Sequence, residues 1–175
     1  MVLREVALRE ELVLTLRRMA AGGLVLGAAG NASARAGDLV VISPSALPYD
    51  SLRAEDVRVV TADGELVEGP KPSVELPMHL AVLAERDDVG AVVHTHSPYA
   101  TALSLVGDSV PVADAAPSGT PELGEAVLAA AHDGHAVVVR GHGPVCFGVD
   151  LADALARAFA LEENARIRAL AKLLA

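Results

Sequence analysis

The sequence predicts an α/β fold of three layers, with a mixed central sheet held between helices. Three observations carry this. Short apolar runs of strand length, such as GAVVHTH (90–96) and HAVVVRG (135–141), alternate with stretches of helical spacing. An early hairpin pattern breaks a pure βαβ rhythm, so the sheet is mixed. The 175 residues suffice for a real core and contain no internal repeat, low-complexity segment or dividing linker, which predicts a single domain over residues 1–175.

Each element follows from local signals. Residues 3–21 have helical spacing and stop at Gly22-Gly23. The segment 27–50 begins as a Gly/Ala/Ser-rich loop and gives a strand at 39–43 that ends in Ser-Pro-Ser. VRVVTADGELVEG (57–69) reads as a hairpin turning at Asp63-Gly64. KPSVELPMHLAVLAERDD (71–88) is a loop leading into a helix, with Pro77 in the first turns, where a missing N–H costs least. The strand 90–96 is bounded by Gly90 and Pro98 and is followed by a helix near 98–106, a short strand at 110–113 and a helix at 121–132. Strands at 135–141 and 143–149 come next, and Asp150 is placed to N-cap a final helix.

Composition narrows the function. Hydrophobic residues make up 52% and aromatic residues 2%, with no Trp, so the core is built from Ala, Val and Leu. The net charge of −9 argues against a nucleic-acid binder, which needs a basic patch. The single Cys146 excludes an intrachain disulfide and a Cys-based zinc cluster, and is consistent with a cytoplasmic location. The N-terminal MVLREVALREELVLTLRRMAAGG is charged throughout, unlike a signal peptide or a membrane span.

The chemistry sits where apolar strands end. Alternate side chains of a strand point the same way, so His94 and His96 project from one face. Two neutral imidazoles so placed can share one metal ion. A third, His142, follows the strand 135–141 and lies between Gly141 and Gly143, which allow close backbone approach and unusual dihedrals. Three imidazoles with one position left open make the catalytic type of zinc site. Glu75, near the start of a helix, is either a first-turn carboxylate favoured by the helix dipole or a general acid/base beside the metal, possible also as a displaceable fourth ligand. His79, one turn later on the same face, either orients that carboxylate or is a packing residue. His132 and His135 flank a turn and are expected in solvent. GNAS (30–33), SPSA (43–46) and KPS (71–73) are small-residue loops that suit an oxyanion or phosphate, or are ordinary turns.

GNAS, SPSALPY, KPSVELPMH, HTHSPYATALS, GHGPV and LEENAR, in this order, make the chain resemble the class II aldolase/adducin family from the first helix to about Ala165. The best-known members of that family are sugar-phosphate aldolases such as fuculose-1-phosphate aldolase. The resemblance implies an α/β/α fold with a mainly antiparallel sheet, one Zn²⁺ per subunit and a homotetramer with active sites between subunits. It implies His94, His96 and His142 as metal ligands, Glu75 as the catalytic carboxylate and Asn31, Ser45 and Ser73 as phosphate-binding residues. The implied reaction is zinc-dependent aldol cleavage of a sugar phosphate or related hydroxy-carbonyl compound through a metal-stabilised enediolate, in carbohydrate metabolism. Decarboxylation, dehydration and epimerisation, on a substrate with or without phosphate, are alternatives on the same scaffold, as is a non-catalytic adducin-like role. The chain departs from the family at Ala46, where the phosphate loop usually has Gly, and at Val74, which replaces a second serine. The stretch VADAAPSGTPEL lacks the tyrosine that serves fuculose-phosphate aldolase across the subunit boundary as a proton donor, and the sequence ends at Ala175 without the family's mobile tail. These departures leave the metal chemistry intact and require a different protonation step.

Overall fold

A computed structural model describes residues 2–69, 71–107 and 111–174, with side chains from residue 5 onward. The elements run α1 (Val2–Ala21), β1 (Asn31–Ala36), β2 (Leu39–Ile42), a 3₁₀ turn (Ala54–Asp56), β3 (Arg58–Thr61), β4 (Leu66–Glu68) and α2 (Leu76–Glu85). They continue with β5 (Ala91–His94), α3 (Pro98–Leu105), β6 (Val112–Ala113), α4 (Pro121–Ala131), β7 (Ala136–Val139), β8 (Gly143–Gly148) and α5 (Leu151–Leu173). The strands form one sheet in the order β4-β3-β2-β1-β5-β8-β7-β6. Among the described residues β6–β7 is the one parallel pair and every other pair is antiparallel. The expected mixed, mainly antiparallel sheet is therefore present. The strand expected at 110–113 survives as Val112–Ala113, and Val110 lies outside the described residues.

One expectation is corrected. GNASARA is not a loop: residues Asn31–Ala36 form β1, a central strand between β2 and β5. Ala, Ser and Asn have low strand preference, so composition hid it. Tertiary context overrides that preference: β1 is buried almost throughout, where small side chains let a helical layer pack closely on each face.

Strand alternation sorts the core into two halves. Val41, Val93 and Val138 face α1, α3 and α5, where they meet Leu12, Leu16, Ala100, Leu151 and Leu155. Their neighbours Val40, Val92, Val137 and Val139 face α2 and α4, where they meet Met78, Val82, Leu123 and Val127. All seven of these strand residues are Val, whose branched side chain fits a pleated surface buried on both sides. Asp150 N-caps α5 as expected, its side chain accepting from the Asp153 N–H at 2.8 Å.

Candidate metal centre and active site

The site forms where β1, β5 and the β7–β8 turn meet the N-terminus of α2. His94 ends β5, opposite Asn31 of β1, and therefore shares the α2-facing side of the sheet with Val92. The chain stays extended past His94, since Thr95 N–H donates to Pro144 O at 2.9 Å and His96 N–H to Leu24 O at 3.1 Å. His96 thus returns to the same face. The two glycines around His142 act differently. Gly141 has a φ of +67°, the left-handed turn that redirects the chain after β7. Gly143 lies so close to the neighbouring strand that an added Cβ would meet Thr95 O at 2.0 Å. Both are needed to bring His142 against His96.

The convergence is tight. His96 Nε2 lies 3.1 Å from both His94 Nε2 and His142 Nε2. Glu75 Oε2 lies 3.2 Å from His94 Nε2, and Glu75 Oε1 lies 3.5 Å from His142 Nε2. Nitrogens that share a tetrahedral zinc at ~2.1 Å are about 3.4 Å apart, so the spacing suits one small cation. Nδ1 of His94 is 2.9 Å from Pro144 O and donates to it, which leaves the Nε2 lone pair facing the centre. Lone pairs and a carboxylate aimed at one point repel unless a cation lies among them. Oε1 of Glu75 is buried and has no hydrogen-bond partner, the condition of an oxygen built to meet a ligand. These residues fit a divalent metal, and among the described residues they form the one His/Cys/Asp/Glu group close enough to hold one.

Electrostatics agree with that use. Burial pushes His94 down to about 3 and His79 to about 4, and it also lowers His96, so these rings stay neutral at neutral pH. Burial by itself would raise Glu75; the facing imidazoles and the Asn31 amide outweigh it and hold the carboxyl down, at about 2. Glu75 is the N-cap residue of α2, with Pro77 in the first turn, but its side chain makes no capping bond. Its carboxylate instead points at Asn31, His94 and His142.

His79 is hydrogen-bonded at both ring nitrogens. Fully buried His79 contacts Asn31 Oδ1 through Nε2 at 2.5 Å and Ser33 Oγ through Nδ1 at 2.7 Å. Asn31 Nδ2 donates to Glu75 Oε2 at 2.8 Å. His79 thus reaches Glu75 through Asn31.

An open cleft of about 470 Å³ lies over the centre, lined among others by Asn31, Ser45, Ala46, Ser73, Glu75 and His142. Within it Ser73 Oγ accepts from Glu75 N–H at 3.3 Å. Segments 43–45 and 71–73 are joined by Ser73 N–H to Ser43 O (3.0 Å) and Ser45 N–H to Lys71 O (3.3 Å). Ala46 has a φ of +58°, the left-handed conformation that glycine adopts without strain. Three contributors are not evident from sequence. Ser118 lines the cleft from the turn before α4. Buried Tyr49 donates its hydroxyl to Gly30 O, bracing the start of β1. Glu162 of α5 accepts from Tyr99 and Ala100 N–H, both at 2.9 Å, and so caps the helix that follows His96. The motif LEENAR hinted at Glu162, whose partner lies some sixty positions earlier.

Fold, sheet order and this group of side chains are those of a metal-assisted lyase. Residues 10–169 match the model of the Class II Aldolase and Adducin N-terminal domain. The chain belongs to that family and is a lyase of it. It is 38% identical to the 5-methylthioribulose-1-phosphate/5-deoxyribulose-1-phosphate aldolase of Rhodospirillum rubrum, over 91% of this chain and 79% of the relative. It is 40% identical to the 5-deoxy-D-ribulose 1-phosphate aldolase of Bacillus thuringiensis serovar kurstaki, over 77% of this chain and 71% of the relative. Among solved structures, an L-fuculose 1-phosphate aldolase superposes with a TM-score of 0.91 at 29% identity, covering 96% of this chain and 87% of that one.

Proposed function

We propose that the protein is a zinc-dependent aldolase that cleaves a short ketose 1-phosphate into an aldehyde and dihydroxyacetone phosphate. The observation that carries this reading is the convergence of three imidazole Nε2 atoms on Glu75, whose Oε1 is buried and unpartnered beside an open cleft. In this reading His94, His96 and His142 hold one Zn²⁺ per subunit, and Glu75 is the catalytic carboxylate and a displaceable fourth ligand. The ion supplies a Lewis acid for the negative charge that develops on the substrate oxygens.

The chain's own residues do the rest. Asn31, Ser45 and Ser73 hold the phosphate; Asn31 keeps one Nδ2 hydrogen free for it after serving Glu75. The carbon–carbon bond between C3 and C4 breaks as the C4 hydroxyl loses its proton and becomes the aldehyde. The electron pair stays with C3, which is then protonated. Glu75 carries that proton from the hydroxyl to the carbon, and with no tyrosine in residues 112–123 it does so with fewer helpers than in fuculose-phosphate aldolase.

The relatives named for 5-deoxyribulose and 5-methylthioribulose phosphates support a five-carbon substrate with no hydroxyl at C5. An adducin-like scaffold has no use for such a centre. The single sheet covered on both faces supports one domain over residues 1–175, and the lone, buried Cys146 supports a reducing cytoplasm.

The test is an assay of zinc-loaded protein on 5-deoxyribulose 1-phosphate, L-fuculose 1-phosphate and their unphosphorylated counterparts, with metal content measured in parallel. The expected result is one zinc per chain and aldehyde release from the 5-deoxy ketose phosphate. Zinc-loaded protein that releases aldehyde from none of them would overturn the reading.

A further inference from the structure

Buried behind Glu75 is a polar chain whose far members, Ser33 and His79, have no part in the cleavage reaction. Ser33 and Asn31 project from one face of β1, two residues apart, and Glu75 and His79 from one face at the start of α2, four residues apart. The four side chains meet across the gap: Ser33 Oγ to His79 Nδ1 at 2.7 Å, His79 Nε2 to Asn31 Oδ1 at 2.5 Å, and Asn31 Nδ2 to Glu75 Oε2 at 2.8 Å. All are shielded from water, with relative exposures of 0% for Ser33 and His79, 5% for Asn31 and 4% for Glu75.

With the buried His79 ring neutral, one set of hydrogen positions satisfies every atom. An ionised Glu75 accepts and cannot donate, so the Asn31 amide must turn its NH₂ toward Glu75 and its oxygen toward His79. That oxygen also only accepts, so His79 must carry its proton on Nε2. Nδ1 is then a bare acceptor, and the Ser33 hydroxyl donates to it. Turning the amide over would set its oxygen against the ionised carboxylate, where neither can donate. The bonds therefore run in one direction, from Ser33 through His79 and Asn31 to Glu75.

From this we infer that His79, with its tautomer set by Ser33, is a positioning residue for proton transfer: it locks the Asn31 amide so that Glu75 Oε2 is tethered and Oε1 alone is left for substrate. The inference rests on the reading of Glu75 as the proton carrier. The His79 side chain hydrogen-bonds to Ser33 and Asn31, not to the three imidazoles or the Glu75 carboxylate, and it does not line the cleft, so its loss should act on turnover before metal or substrate binding.

The decisive experiment has an arm that needs no turnover. Ring ¹⁵N NMR of the histidines in the intact metal-free protein at pH 7 should show His79 neutral, with its proton on Nε2 and Nδ1 bare. In Ser33→Ala the two tautomers should mix. A proton on Nδ1 of wild-type His79 overturns the inference. In the kinetic arm, zinc-loaded His79→Leu should lose kcat by about 10- to 100-fold, the usual effect of removing a group that orients a site residue. Its KM and zinc affinity should stay within about threefold of wild type. His79→Gln, whose amide N–H can replace Nε2–H, should recover most of the loss. Unchanged kcat in His79→Leu, or a loss that follows zinc affinity and is not recovered by Gln, overturns the inference. If His79→Leu does not fold, Ser33→Ala carries the kinetic arm, with a smaller loss of kcat at constant KM expected and no loss overturning the inference. Glu75→Gln separates the two readings: wild-type turnover there removes the proton-carrier role and with it the purpose assigned to His79, while the tautomer still reports whether the chain of bonds exists.

Discussion

At the scale of single residues, the site combines groups whose charge states are set by burial. Glu75→Gln keeps the size of the side chain and its bond to Asn31 but cannot carry a proton. Turnover is expected to fall by about two to four orders of magnitude with fold and zinc content retained, as seen by stopped-flow assay and metal analysis. A Glu that only favoured the helix dipole would cost up to about 1 kcal/mol of stability and no turnover. Acid should undo the metal-free protein for a related reason. His94 and His79 titrate at about 3 and about 4 in the fold, against ~6.5 for an unfolded imidazole. Because the folded values are depressed, the unfolded chain binds more protons across that interval. The stability from keeping both rings neutral is complete above pH ~6.5 and is lost as pH falls toward 3. Glu75, held at about 2, adds a further loss below pH ~4.5. The urea midpoint of the metal-free protein should therefore be clearly lower at pH 5 than at pH 7, and a midpoint that is flat or rises would contradict neutral burial of these rings.

At the scale of elements, the centre depends on segments that meet far from one another in sequence. The helix α3 begins two residues after His96, and its first N–H groups are held by Glu162 from the middle of α5. Glu162→Ala removes two charge-assisted bonds from that terminus. We expect a loss of about 1–2 kcal/mol in stability, as for other caps, read from chemical denaturation. Because α3 carries the strand end that holds His96, zinc affinity should weaken in the same variant while His79 and Asn31 remain in place. Much of this level was open to sequence reading: the β5 and β7 runs, the proline-led α2 and the Asp150 cap all follow local rules. The strand β1 was not. Its NASARA composition carries turn preferences, and only burial between β2 and β5 makes it a strand. Missing β1 also hid how Asn31 and Ser33 share a face.

At the scale of the whole molecule, α5 leaves apolar side chains in water. Ile167 is 56% exposed, and Leu173 and Leu174 are 82% and 87% exposed, near the end of the helix. Exposed apolar side chains on one helix are available for contact with another subunit. With the cleft open to solvent and no tyrosine in the turn before α4, this supports the expected homotetramer. Light scattering at micromolar concentration should give four times the mass of the chain, and a monomer would refute it. Among the described residues no helix is long and apolar enough to cross a membrane.

The sequence alone determined the layer architecture, because hydrophobic periodicity is a property of neighbouring residues. It determined His94 and His96 as a pair, because strand alternation places every second side chain on one face. The ordered motifs brought His142, Glu75 and the phosphate-loop residues into the same expectation. Only the tertiary structure decided what each of them does to the others. It set the 3.1 Å spacing of the imidazoles, left Glu75 Oε1 without a partner and gave His79 a route to Glu75 through Asn31. Those facts depend on distances between β1, α2, β5 and the β7–β8 turn, and such distances are fixed when the two halves of the core close on the sheet.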